Sequence, residues 1–229
     1  MSGLREVGAG LWVHEAPLRF AGVQAGRIMN VVRLADGGLF VHSPAPLDDA
    51  LRAGLAALGE VRFVAAPSRL HGHMWMERYR DAYPGAELLA GPGLRRRRKD
   101  LDFGADLGAT PDPRWADDLD QALFEGNPLL PEVEFLHRSS RTLIAGDLAI
   151  HFDASAPRTT RLLARGGLMY GRLRPTPVFR LTTRKRKAAR AGIERILEWD
   201  FDRVIPGHGA VWESGGREAL RREWSRLLR

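Results

Sequence analysis

Val61-Arg62-Phe63-Val64-Ala65-Ala66-Pro67, followed closely by His71-Gly72-His73, decides how this chain is read. The apolar run reads as a buried strand, and two imidazoles just past its end stand where a metal site would be built. On an extended segment residues i and i+2 project to the same side, so both rings can reach one cation at about 2.0–2.1 Å. Two ligands do not hold a metal. Ala145-Gly146-Asp147 and, near the C-terminus, Pro206-Gly207-His208-Gly209 are the best sources of further donors, a carboxylate and a third imidazole.

Outward from that stretch, residues 30–34 and 37–42 read as a hairpin leading into the strand, and residues 11–14 and 18–20 alternate as earlier strands. Leu47, Leu51, Leu55 and Leu58 recur at helical spacing, with Asp48 and Asp49 suited to a first turn, which predicts an amphipathic helix packed on the sheet. Residues 75–83 predict a helix stopped by Pro84-Gly85, and residues 87–90 a short strand. Gly, Pro and Asp signals from 95 to 115 predict an irregular surface excursion. Strand character returns at 121–124, 133–137 and 142–148. Residues 154–183 mix a helix around 160–165 with glycines and prolines, as in a lid beside the site. Thr183 is read as the cap of a helix reaching Trp199, residues 202–205 as a strand and 216–228 as a last helix. Strands and helices interleave in two similar halves, which suits two sheets packed face to face with helices outside.

With 229 residues, the chain fits one domain over 1–229 with a substantial core. No apolar stretch approaches the ~20 residues needed to span a bilayer, and the segment 1–6 lacks a secretory h-region. The expected compartment is the cytoplasm. There is no cysteine, so a metal would be held by His and carboxylate alone, which favours a hydrolase-type site over a structural zinc knot. A net charge of +7 and a pI near 10.6 raise a nucleic-acid reading, with Arg95-Arg96-Arg97-Arg98-Lys99 and Arg184-Lys185-Arg186-Lys187 as dense clusters. Only Lys99, Lys185 and Lys187 are lysines, and such an arginine bias is weak evidence of nucleic-acid binding. Arginine forks also grip phosphate, and an anionic small molecule would use the same charges.

The order of segments resembles the metallo-β-lactamase superfamily, whose pattern is H-x-H-x-D-H after a strand, then G-H-[TS], then a G-D ending a strand, then a late G-H-G. His71 and His73 match the first pair, Gly146-Asp147 the aspartate, and Val204-Ile205-Pro206-Gly207-His208-Gly209 the last motif. The hairpin through His42 looks like the family's opening one, with His42 where many members have Asp. Val41-His42-Ser43-Pro44 and Trp199-Asp200-Phe201-Asp202 match further segments. The departures are specific: Trp75 and Met76 stand where Asp and His belong, and Gly126-Asn127-Pro128 falls where G-H-T is expected. The likeness covers roughly residues 11–227 and implies an α/β (α+β) fold, the four-layer αββα sandwich. It also implies His71, His73, Asp147 and His208 as metal ligands. Asn127 would add a weak ligand or a hydrogen bond, and His42 a supporting partner or replacement ligand.

A binuclear hydrolase takes five or six protein ligands, a set this chain lacks. The four that remain give three nitrogens and one oxygen around a single divalent ion, zinc first, with manganese or iron as alternatives. A tetrahedral site of that kind would be nearly closed by protein. The expectation is a metal-dependent hydrolase with an eroded, mononuclear site, acting on a small-molecule ester, amide, thioester or phosphoester. The alternative is a metal-free, non-catalytic relative that binds a small anionic ligand, a protein partner or nucleic acid. Plainer roles exist for every residue: His71 and His73 as loop hydrogen-bonders, Asp147 as a turn cap, His208 in a tight turn, Trp75 and Met76 as apolar filling. His14, His137 and His151 are read as structural or surface histidines.

Overall fold

The computed structural model describes residues 3–20 and 23–229. The chain opens with β1 (Leu4–Gly8), β2 (Leu11–Ala16), the short hairpin β3 (Arg19–Phe20) and β4 (Val23–Gln24), β5 (Arg27–Arg33) and β6 (Leu39–His42). Then come α1 (Asp49–Leu58), β7 (Val61–Ala66), α2 (Met76–Ala82), β8 (Glu87–Ala90), α3 (Leu94–Arg97) and β9 (Ala105–Asp106). These build a seven-stranded sheet in the order β1-β2-β5-β6-β7-β8-β9, antiparallel up to β6 and parallel beyond it. The remainder comprises β10 (Leu119–Phe124), β11 (Glu132–His137), β12 (Thr142–Ile144), β13 (Ile150–His151), α4 (Arg158–Gly166), α5 (Pro177–Thr182), α6 (Arg186–Glu198), β14 (Arg203–Ile205), β15 (His208–Gly209), α7 (Gly216–Glu223) and α8 (Ser225–Leu228). Here β10-β11-β12-β14 form a four-stranded sheet, and β13 pairs with β15.

Period-two alternation sorts neighbouring residues into three separate cores, and these cores define four layers. Val31, Val41 and Val64 face outward and pack with Leu51 and Leu55 of α1 and Met76 and Tyr79 of α2. Their neighbours Val32, Phe40 and Phe63 face inward, where they meet Val133, Phe135 and Ile144 of the second sheet. Leu136, Leu143 and Val204 point out of that sheet onto Ile193 and Ile196 of α6 and Leu220 of α7. Helix, sheet, sheet, helix is therefore the order of the layers. Leu51 and Leu55 are fully buried, each worth about 1.5–3 kcal/mol relative to exposure. Asp48 caps α1 by accepting the Leu51 N–H at 2.7 Å.

Several boundaries differ from the sequence reading. Residues 4–8 form an unforeseen edge strand on β2, and the stretch 95–115 contains α3 and an edge pairing at β9. Thr183 does not cap the long helix: its hydroxyl donates to the Phe179 carbonyl at 2.7 Å at the end of α5, and α6 starts only at Arg186. The strand read over 142–148 stops at Ile144, because the chain turns through Gly146 to carry Asp147 off the sheet.

Candidate metal centre

Three loops at one end of the sandwich carry the candidate ligands. His71 follows β7 of the first sheet, whereas Asp147 and His208 follow β12 and β14, which are parallel neighbours with Ile144 opposite Ile205. Strands paired in that register deliver the next few residues side by side. The Gly207 N–H donates to the carbonyls of Gly146 (3.2 Å) and Ala149 (3.0 Å), tying the two loops together. A Cβ at Gly207 would lie 2.5 Å from the Gly146 oxygen and 2.8 Å from the His71 ring, so only glycine admits this approach. One ligand atom each from His71, Asp147 and His208 falls within 4.8 Å of the other two, a separation one ion can bridge.

The three candidate donors sit in defined surroundings. His208 Nδ1–H donates to the Gly26 carbonyl at 2.7 Å, which leaves the Nε2 lone pair facing Asp147 Oδ1 at 3.7 Å. Burial, against the pull of Asp147, drives the His71 imidazole down to about 3, so it stays neutral. Burial works to raise Asp147, but the nearness of the His208 and His71 rings holds it below the usual carboxylate range. Two imidazoles and a carboxylate form the kind of donor set that zinc, manganese or iron accept.

The other expected ligands lie elsewhere. Gly72 takes φ +79°, so the segment is not extended and His71 and His73 do not project together. His73 stands outside the group; Arg98 grips its carbonyl at 2.6 Å, and burial, then the charges of Arg97 and Arg98, push its ring down to about 4. Asn127 is fully committed to its loop. Its amide donates to the Phe179 carbonyl and Thr182 hydroxyl, and its oxygen accepts the Leu129 and Leu130 N–H groups, all at 2.8–3.1 Å. It has no capacity left for an ion. His42 is buried and joined through Nδ1 to the Asn30 amide at 3.1 Å, also outside the ligand group. Trp75 precedes α2 with Arg27 stacked over its ring at 4.3 Å, and Met76 is wholly buried, so apolar packing occupies both positions. His137 and His151 bond the Ser140 hydroxyl and the Ala210 carbonyl.

Two features escaped the sequence reading. Glu132 and Glu134 on β11 are buried side by side, and their Oε2 atoms accept the N–H groups of Leu148 and Gly146, both at 3.1 Å. They bracket Asp147 along its backbone. The two Oε1 atoms, two residues apart on the same strand, each lack a hydrogen-bond partner. Burial raises both, Glu134 to about 8. The signal was there: two acids at i and i+2 in an apolar strand must share one face. The second feature is Arg27, a buried guanidinium that the pattern of β5 disguises. A cavity of about 380 Å³ opens beside the His208 loop, lined by Arg19, Gln24, Gly26, Phe152, Ser155 and Gly209 among others.

No protein-family model matches the sequence, and no curated protein does. Solved structures do match in fold. A metallo-β-lactamase from Hirschia baltica aligns over 99% of this chain and 97% of its own with 14% identity and a TM-score of 0.65. One from Pontibacter korlensis aligns over 98% and 97% with 13% identity and a TM-score of 0.63. The metallo-β-lactamase FIM-1 from Pseudomonas aeruginosa, in its mono-zinc form, aligns over 98% and 95% with 11% identity and a TM-score of 0.61. Together with the layer order and the topology, these alignments over nearly the full length show that this chain has the metallo-β-lactamase fold.

Proposed function

We propose that the protein is a metal-dependent hydrolase with a mononuclear centre held by His71, Asp147 and His208. The observation that carries this reading is the convergence of these side chains from three distant loops, with His208 fixed in its ligating tautomer by Gly26. Three protein ligands, rather than the four expected, leave a tetrahedral ion one open position, the arrangement typical of catalytic rather than structural sites. A divalent ion there would supply Lewis acidity and make water a better nucleophile at neutral pH. The chain's own residues do the positioning: His208 presents Nε2, the Glu132–Glu134 pair fixes the Asp147 turn, and Gly207 lets the loops meet. With Trp75 where the resemblance expects an aspartate, turnover should be weak or altered on its ester, amide, thioester or phosphoester substrate. Zinc is the favoured ion, and manganese or iron suit the same donors.

Elemental analysis of untagged protein purified without chelator tests the reading. About one divalent ion per chain is expected for three such ligands, lost in both His71→Ala and His208→Ala and retained in His73→Ala. A chain that stays metal-free after dialysis against excess zinc overturns it in favour of a metal-free ligand binder. The nucleic-acid alternative is weakened by the ion pairs of Arg95 with Asp106 and of Arg98 with Glu77 and Asp100, which commit part of the first basic cluster.

A further inference from the structure

Buried polar atoms without a hydrogen-bond partner gather at the end of the first sheet, beside the His71 loop. Among the described residues they include Arg27 Nε, His42 Nε2, Ser43 Oγ and His73 Nδ1. The antiparallel register sets Asn30 opposite His42, so the start of β5 lies alongside the chain leaving β6. Arg27 Nη2 donates to the Ser43 carbonyl at 3.3 Å, and Gly72 packs so closely that a Cβ there would sit 3.0 Å from Ser43 Oγ. Ser43 is itself held at φ +55°, a left-handed conformation unfavourable for serine, with its hydroxyl fully buried.

Three of these atoms are donors. The Arg27 Nε–H and the Ser43 hydroxyl are donors by chemistry; His42 Nε2 is one because Nδ1 accepts from the Asn30 amide. Arg27 is 4% exposed, yet among the described residues no carboxylate lies within ion-pair distance of it. A buried cation without a counter-ion is costly, and a cluster of unmet donors around it is costlier still. Its charge reaches the neighbouring rings, helping burial to lower His42, His71 and His73. Arg27 also borders the 380 Å³ cavity.

We propose that Arg27, with Ser43 and His42 beside it, is an oxyanion-binding pocket, so that the ligand of the adjoining metal centre carries a carboxylate or phosphate group. The planar guanidinium suits such a group, and it sits against Trp75, at the position where the resemblance expects a metal-binding aspartate. The substrate class named here rests on the hydrolase reading above; the anion pocket itself does not.

The test titrates inorganic phosphate into metal-free protein and follows arginine Nε–H resonances by ¹⁵N–¹H correlation. A saturable shift of the Arg27 Nε–H is expected. Arg27→Gln should weaken phosphate binding about tenfold or more, the weight of a charge-assisted hydrogen bond. Ser43→Gly, which removes the hydroxyl and suits the positive φ, should weaken it several-fold with the fold intact. An Arg27 signal unmoved at high millimolar phosphate, or equal affinity in wild type and Ser43→Gly, overturns the proposal, which then leaves Arg27 as a clip between β5 and Trp75. Zinc alone, titrated in parallel, separates the two readings. Phosphate binding without zinc binding sinks the hydrolase and keeps the pocket, whereas zinc uptake without an Arg27 shift does the reverse.

Discussion

Glu134 shows how much a single buried carboxyl sets in this protein. Burial, with the charge of Asp147 adding to it, pushes its carboxyl up to about 8 from an ordinary 4.5, so the folded state keeps a proton that the unfolded chain gives up. Its contribution to stability is complete below about 4.5 and is lost as pH rises from there to about 8. Melting of the metal-free protein should therefore fall across that window, and Glu134→Gln, which cannot ionise, should make the fall shallower, Glu132 supplying the remainder; an unchanged pH profile would contradict a raised Glu134. His42, held down to about 3 by burial and then by Arg27, acts oppositely, with stability present above 6.5 and lost as pH drops through the window below it. At Gly207 the constraint is steric. Gly207→Ala places a methyl against the Gly146 carbonyl and the His71 ring, and should cost on the order of 2 kcal/mol while weakening zinc uptake, read by thermal melts and zinc titration on the same samples.

At the scale of elements, the clearest signals in the sequence were those with a strong period. The Leu51–Leu55 stripe and the β7 run stand as read, because apolar spacing acts locally, whereas His208–Gly209 pairs as the short strand β15 rather than forming a tight turn. The ligand set was legible for His71, Asp147 and His208 as candidates, and it is these three that the loops bring together. His73, expected beside His71, lies outside that group, and its direction depends on the φ of Gly72, which spacing alone does not reveal. Asn127 was ambiguous for a related reason, since what its amide bonds lies in α5, some fifty residues away. Asn127→Ala removes four hydrogen bonds, two that pin this loop to α5 and two that close the loop's own turn at Leu129 and Leu130. It should destabilise the protein by about 3 kcal/mol in denaturant titration, yet leave the zinc content unchanged; loss of zinc from a folded variant would restore Asn127 as a ligand.

Across the whole molecule, two sheets meet through one inner core, and the candidate centre sits at the rim where both contribute a loop. An ion bound there favours only the assembled sandwich. Zinc at about 100 times its Kd should add about 2.7 kcal/mol to stability, seen as a melting temperature that climbs with zinc in wild type and stays flat in His71→Ala. The layer order followed from the alternation of strands and helices; the edge strand β1 did not, because its residues are only half-buried and carry little pattern. No helix among the described residues is long and apolar enough to cross a membrane.

The hydrogen bond from His208 to the Gly26 carbonyl joins positions 182 residues apart. A contact of that span forms late, after the intervening chain has collapsed. During synthesis His71 and Asp147 leave the ribosome long before His208 exists, while the first sheet already holds the Gly26 carbonyl that the arriving ring will bond. In the proposed centre, ion capture would thereby be deferred to the finished protein, so that nascent chains would not hold metal in half-built sites and loading would report complete folding.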